Sequence, residues 1–415
     1  MHSFLDDHEY DGIRDTGLTI REVITKWIDY KVSQKDGWGE SSVKRNKPAI
    51  EKLEILLDNC EARLVTDVML RDKFVERRRR LPKALKKRPS LHKGVREVLD
   101  VNGKVVINTS GKAVTTKEFI SSDDILDQAK VHGWETDSMD TIGRENSAIQ
   151  SFLKWARKQK YMRSGLDEVL DDYTKYSRES SRTIFTPDEL KLMFESAEYQ
   201  NGQLQKVPYT HWVPLICLTT GARSGEASQL RTEDIICQDT GSGEQIWVIR
   251  FIADEDTTQT SKTSSSRRTV PIPRVLLDLN ILTFVEQVRA AKGEYLFPDL
   301  EPQKEGNSWS DAISRWFHSA KRQKGYMERC GVEKEVKIEG IKKKRVFHSL
   351  RHTWITYAKN SGINKEMRTE ISGHSQGAGR DAHDGYSHDY EMGLRLVAIN
   401  TVDFGIDWSK VSKWE

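Results

Sequence analysis

The run Thr219-Thr-Gly-Ala-Arg223-Ser-Gly-Glu226 decides how this chain reads, and four later runs complete it. They are Ser261-Lys262-Thr263, His348-Ser-Leu-Arg351-His352, Gly373-His374-Ser375 and Asp384-Gly-Tyr386-Ser-His388. Two arginines, a lysine, two histidines and a late tyrosine form a set suited to breaking a phosphodiester without a metal. Such a bond resists attack because the nucleophile meets an anion and the departing alkoxide is a poor leaving group. Cationic donors on the non-bridging oxygens and a proton for the leaving oxygen answer both difficulties. Arginine's planar fork binds phosphate oxygens bidentately and stays charged at any useful pH, so Arg223 and Arg351 are the candidates for the first task. Glu226, three residues beyond Arg223, can orient it.

Each residue alone has a plainer reading. A single arginine usually makes a surface ion pair, a lysine in a polar loop is usually solvated, and a lone histidine usually sits in a core. The joint pattern reverses this. Lys262 lies in Thr260-Ser-Lys-Thr-Ser-Ser-Ser-Arg-Arg-Thr-Val, a polar loop leading into a strand. His348 and Arg351, three apart at a helix start, share one face. His352 is expected to face elsewhere as a buttress, and His374 offers a second imidazole donor. Tyr386 is the expected nucleophile, because a phenol with a pKa of about 10 needs cationic neighbours to react. Tyr390, four residues on, is its rival.

The net charge of +3 is a small difference between 66 basic and 63 acidic residues, so the distribution matters more than the total. Between Arg71 and Arg96 basic residues dominate, among them Arg77, Arg78, Arg79 and Arg80. A second run, Lys342-Lys343-Lys344-Arg345, precedes the His348 motif. Such runs are solvated faces or phosphate contacts, and a phosphodiester-cleaving set favours the latter. Lys154, Arg157, Arg267 and Arg268 are read the same way. Cys60, Cys217, Cys237 and Cys330 show neither CxxC pairing nor histidines at zinc-finger spacing, so no metal site is expected. The N-terminus has no basic region followed by an apolar core, and no apolar stretch approaches the ~20 residues of a membrane span. A cytoplasmic, nucleoid-associated protein without membrane contact is expected.

Helical apolar spacing recurs four times in the first part of the chain. Ile20, Val23, Ile24 and Trp27 follow a capping Thr19; Ile50, Leu53, Leu56 and Leu57 form a second pattern. Ile125, Leu126 and Ala129 follow Ser121-Ser122, and Ala148, Ile149, Phe152, Leu153 and Ala156 form the fourth. A small bundle over 18–164 is expected after a short acidic head, 1–17, with a basic insertion at about 80–115. Within it, Val101-Asn-Gly-Lys-Val105 reads as a β-turn or as part of a disordered insertion. Residues 165–183 read as a polar linker. Thr186-Pro187-Asp188-Glu189 is a capping box with proline at the first helical position, and it opens a second domain, 184–415. There Trp247 to Ile252 and Arg268-Thr-Val-Pro-Ile272 read as partner strands, the proline marking an edge.

In order and context the five motifs resemble the tyrosine recombinase, or phage integrase, family. The likeness is specific from Thr186 onward. It implies a mainly α fold with a small antiparallel β-sheet: a helical, SAM-like core-binding domain followed by a mixed α+β DNA breaking-rejoining catalytic domain. It implies that Lys262 protonates the departing 5′-oxygen from a β-hairpin turn, and that His348 hydrogen-bonds the phosphate or helps accept the tyrosine proton. Tyr386 would form a 3′-phosphotyrosyl bond that keeps the bond energy, so no ATP or other cofactor is needed. Double-stranded DNA is the implied partner, held by a homotetramer on paired sites, with DNA-bending or directionality proteins as possible accessories. The expected role is integration or excision of a mobile element. The interval from His374 to Tyr386 is longer than is usual in the family. The tail, about 391–415, is expected to pack either on its own catalytic domain or on a neighbouring protomer. A catalytically inactive DNA-binding regulator and a type IB topoisomerase-like relaxase are the competing readings; a metal-dependent nuclease fits least.

Overall fold

The computed structural model of the chain describes residues 13–34, 37–83, 93–97, 115–119, 121–171, 182–239, 243–252, 267–302, 308–318, 323–373 and 390–415. The chain divides into two compact units, Met1–Arg178 and Glu179–Glu415. It is mainly helical, with three small antiparallel sheets among the described residues.

In the first unit, helices Ile20–Ser33, Glu40–Leu56, Ser122–Val131 and Met139–Lys158 carry the four apolar patterns. Thr19 and Glu22 form a full capping box, which fixes where the first helix starts. The inward faces meet around Trp27, which packs edge-on against Trp38 at 4.7 Å and Phe152 at 5.7 Å. A further helix, unforeseen from the sequence, occupies 67–78, with a π-helical middle at Leu70–Val75. The wider turn brings Leu70, Phe74 and Val75 into the core. Strands β1 (Lys93–Glu97) and β2 (Thr115–Phe119) pair, β1 within the expected insertion and β2 just past its end, with Lys93 opposite Phe119. Val101 to Val105 lies outside the described residues. The start of the expected linker is instead core. Leu166, Val169 and Leu170 are buried there, their spacing having been hidden among charges.

Arg78 corrects the basic-run reading. It is 1% exposed and belongs to a buried tetrad with Lys52, Asp137 and Glu145. Lys52 Nζ lies 2.7 Å from Asp137 and 2.6 Å from Glu145, and Arg78 Nη2 lies 3.0 Å from Asp137. Two cations meet two carboxylates, the condition under which charges survive desolvation. Arg77 is half-buried and tied to Asp123 at 2.6 Å, whereas Arg79 and Arg80 are exposed. Lys154 is exposed; so is Arg157, which reaches Asp167 at 3.2 Å.

The second unit opens on the capping box of helix Pro187–Phe194, Thr186 and Glu189 bonding reciprocally. At its centre helix Pro208–Thr220 is buried along nearly its whole length. Thr219 and Thr220 end this helix, folding their hydroxyls onto the Leu215 and Ile216 carbonyls at 2.8 and 2.6 Å. Strands β3 (Ile235–Asp239), β4 (Gln245–Phe251) and β5 (Arg268–Pro271) form a sheet in that order, with Phe251 opposite Arg268. The proline-bearing β5 is an edge strand. A separate hairpin joins β6 (Glu335–Ile338) to β7 (Ile341–Lys344). Helices Ser349–Asn360, Lys365–Ser372 and Met392–Asn400 follow. The tail packs on its own unit: Trp414 sits 4.8 Å from the Phe284 ring, and its indole donates to Gln287 Oε1 at 2.7 Å.

Candidate active site

The last carbonyls of a helix have no partner within it. At the end of helix Lys365–Ser372 three consecutive ones each receive a different guanidinium. Arg268 Nε donates to the Ile371 carbonyl at 2.7 Å, and Arg351 donates to that of Ser372. Arg223 Nη2 donates to the Gly373 carbonyl at 3.0 Å. The negative end of the helix dipole favours cations there. Gly373 makes the arrangement possible. Its φ of +66° turns the chain, and a Cβ at this position would lie 2.5 Å from Arg268 Nη1.

Arg223 and Arg351 reach this point from distant parts of the sequence. Arg223 is the N-cap of helix Ser224–Ser228, and its side chain is 25% exposed. Arg351 is buried on the first turn of helix Ser349–Asn360 and also donates to the Gly221 carbonyl at 2.7 Å. Gly221, with φ +68°, ends the central helix against Trp354. Burial, with the nearby charge of Arg223, pushes Arg351 down to about 9, so it remains charged at neutral pH.

Glu226 joins the cluster as the sequence implied, and holds two arginines. It binds the Arg223 side chain, accepts from the Arg223 backbone N–H at 2.9 Å, and accepts from Arg268 Nη2 at 2.9 Å. Burial works to raise the Glu226 carboxyl, but Arg268, the backbone bond and Arg223 hold it below the usual value. Arg268 is thus held by protein partners, Glu226 and the Ile371 carbonyl. Its side chain is 5% exposed and lies 4.3 Å from the Phe251 ring centre. The next residue back, Arg267, is exposed.

His348 is the N-cap of the Arg351 helix. Burial and the positive field of His352, Arg351, Arg182 and Arg223 push it down to about 3, leaving a neutral imidazole. His352 does not face elsewhere. It lies one helical turn on, with its ring edge-to-face on His348 at 4.9 Å. Arg182, which belongs to none of the five motifs, acts on both histidines from the stretch bridged to Lys344.

Lys262, His374 and Tyr386 lie outside the described residues. Their attachment points are fixed. The connection carrying Lys262 leaves β4 at Phe251 and re-enters at Arg268, inside the cluster. The segment carrying His374 and Tyr386 leaves from Gly373 and re-enters at Tyr390. Tyr390 is occupied elsewhere. Its hydroxyl accepts from Asn364 Nδ2 at 2.8 Å, and Asn364 caps the opposite end of helix Lys365–Ser372. Eight residues at about 1.5 Å each separate that end from the arginines by about 12 Å. Behind Tyr390, buried Arg395 binds Glu370 at 3.0 Å and the Thr269 carbonyl at 3.1 Å.

Among the described residues no group of three or more His, Cys, Asp or Glu stands close enough to hold a metal ion, and no helix is long and apolar enough to cross a membrane.

A cationic cluster of this kind, on a mainly helical unit with a small sheet, is suited to holding a phosphodiester. Residues 183–380, just under half of the chain, match the model of the phage integrase family. The matched region contains Arg223, Lys262, His348, Arg351 and His374, and ends six residues before Tyr386. A lambda integrase dimer bound to a COC′ core site is similar at 13% identity, over 88% of this chain and 98% of that one, with a TM-score of 0.47. The Tn1549 transposon integrase in complex with circular intermediate DNA is similar at 14% identity, over 91% and 98%, with a TM-score of 0.44. XerH recombinase bound to palindromic difH is similar at 15% identity, over 88% and 92%, with a TM-score of 0.42. A comparison with curated protein sequences found no match.

Proposed function

We propose that the chain is a site-specific DNA recombinase that cleaves and rejoins strands through Tyr386, serving the integration or excision of a mobile element. The observation that carries this reading is the convergence of Arg223 and Arg351 on adjacent carbonyls, at the point where the chain enters the Tyr386 segment. The two guanidiniums bind the non-bridging oxygens and stabilise the charge that builds there during attack. The Tyr386 oxygen attacks phosphorus in line with the 5′-oxygen. A 3′-phosphotyrosyl bond forms, the phosphorus–5′-oxygen bond breaks, and the leaving oxygen takes its proton from Lys262. Neutral His348 has a lone pair for the phenolic proton. Its basicity is low because it is buried and because cations surround it, and an arriving phosphate anion offsets the cations. Religation reverses these steps with the hydroxyl of another strand, on paired duplexes held by a homotetramer. The engagement of Tyr390 with Asn364, a helix length from the arginines, favours Tyr386 as nucleophile.

A 5′-phosphorothiolate substrate tests the general acid, since its sulfur leaves without a proton. Lys262→Ala should cleave an ordinary duplex slowly and the phosphorothiolate nearly normally; equal impairment on both removes Lys262 from that role. Relaxation of supercoils without any strand exchange between paired sites would favour the topoisomerase reading.

A further inference from the structure

The β6–β7 hairpin is built with a conflict that the active site does not explain. Its register sets Glu335 opposite Lys344, Val336 opposite Lys343, Lys337 opposite Lys342 and Ile338 opposite Ile341. Alternation along the strands puts Glu335, Lys337, Lys342 and Lys344 on one face, and Val336, Ile338, Ile341 and Lys343 on the other. The isoleucine pair and the Glu339-Gly340 turn, both residues at positive φ, hold the tip together. On the first face Glu335 pairs with Lys344 at 3.1 Å. Lys337 and Lys342 then stand directly opposite one another, both exposed, and neither makes an ion pair among the described residues. Like charges placed so oppose pairing of the strands. The conflict is relieved when a polyanion covers the face.

The root of the hairpin is fixed to the site. Buried Arg345 binds Glu189 at 2.6 Å, the Thr183 N–H donates to the Lys344 carbonyl at 3.1 Å, and His348 follows three residues after Arg345. At about 3.3 Å per residue, the tip lies within roughly 26 Å of His348, about eight base-pair rises of 3.4 Å.

We propose that the Lys337–Lys342 face of this hairpin is a second DNA-backbone contact, binding phosphates that flank the cleaved one. This rests on the recombinase reading. The face carries charge but few hydrogen-bonding groups beyond the ammoniums, so it would add affinity without sequence preference.

The test is the salt dependence of duplex binding by the full chain. Each phosphate contact adds about 0.9 to the slope of log K against log salt. The double variant Lys337→Gln, Lys342→Gln should reduce the slope by about 1.8, so that between 50 and 200 mM salt wild type loses about tenfold more affinity than the variant. The loss should be the same on unrelated duplexes. Glu335→Gln, which frees Lys344, should steepen the slope, a gain that a purely structural hairpin would not give. The exposed pair Lys206→Gln, Lys292→Gln serves as a control and should change nothing. An unchanged slope in the hairpin variant, with wild type still forming its covalent DNA adduct, overturns the proposal and leaves the recombinase reading intact. Loss of the adduct with binding and slope retained would place the hairpin in catalysis instead, and overturns it too. Absence of duplex binding by wild type overturns both readings.

Discussion

Replacing Arg268 by methionine separates two accounts of a residue that looks, in sequence, like a phosphate contact. In the folded protein Arg268 Nε binds the Ile371 carbonyl at 2.7 Å, and Nη2 binds Glu226 at 2.9 Å. Its side chain is 5% exposed and that of Glu226 is 10% exposed. Removing one member of a buried ion pair typically costs about 3–5 kcal/mol, because the partner is left uncompensated. Glu226 keeps Arg223, so the low end, about 3 kcal/mol, is expected for Arg268→Met. The methionine fills much of the same volume, which limits any cavity contribution. Urea unfolding followed by near-ultraviolet circular dichroism reads the loss as a lower midpoint for the catalytic unit, at unchanged slope. A stability loss below about 1 kcal/mol, with the salt slope of DNA binding falling by about 0.9, would refute this assignment and return Arg268 to the DNA interface.

Three further outcomes follow from the same geometry. Arg78→Met should destabilise the first unit by about 3 kcal/mol, read by urea unfolding, with little change in the salt slope of DNA binding. His211 is buried against Trp212 and Trp414, and burial pushes its pKa down to about 3. The unfolded chain therefore takes up a proton below about pH 6.5 that the folded chain refuses, so stability falls as the pH drops toward about 3. From this group alone the loss at pH 5 should be about 2 kcal/mol relative to pH 7, and His211→Leu should remove that part of the pH dependence of the urea midpoint. Tyr390→Phe loses only its bond to Asn364, and should keep covalent adduct formation on a denaturing gel while costing about 1 kcal/mol or less.

Where local periodicity and capping decide, the fold was readable. Thr19 with Glu22 and Thr186 with Glu189 start the helices they were expected to start, and the four apolar patterns of the first unit are its four long helices. The meeting of Arg223, Glu226, His348 and Arg351 near one helix end could be anticipated only by reading the motifs jointly. Burial of charge was the main thing the sequence hid. Arg78 and Arg268 look like their exposed neighbours Arg79 and Arg267, and the difference lies in partners far along the chain, Asp137 and Glu145 for one and Glu226 for the other. The helix at 67–78 offers only a short apolar set, Leu70, Phe74 and Val75, set among charged residues. The face of His352 is set by its spacing from His348, not by its adjacency to Arg351.

The most direct test is covalent trapping on nicked suicide duplexes taken from the DNA that flanks the coding sequence of the chain. Wild type, Tyr386→Phe and Tyr390→Phe are compared on a denaturing gel, in the presence of EDTA. An EDTA-resistant adduct formed by wild type and Tyr390→Phe, and lost only in Tyr386→Phe, is the predicted result. Loss in Tyr390→Phe alone would move the nucleophile away from the residue assigned here, and specific DNA binding without an adduct in any variant would contradict the cleavage mechanism itself.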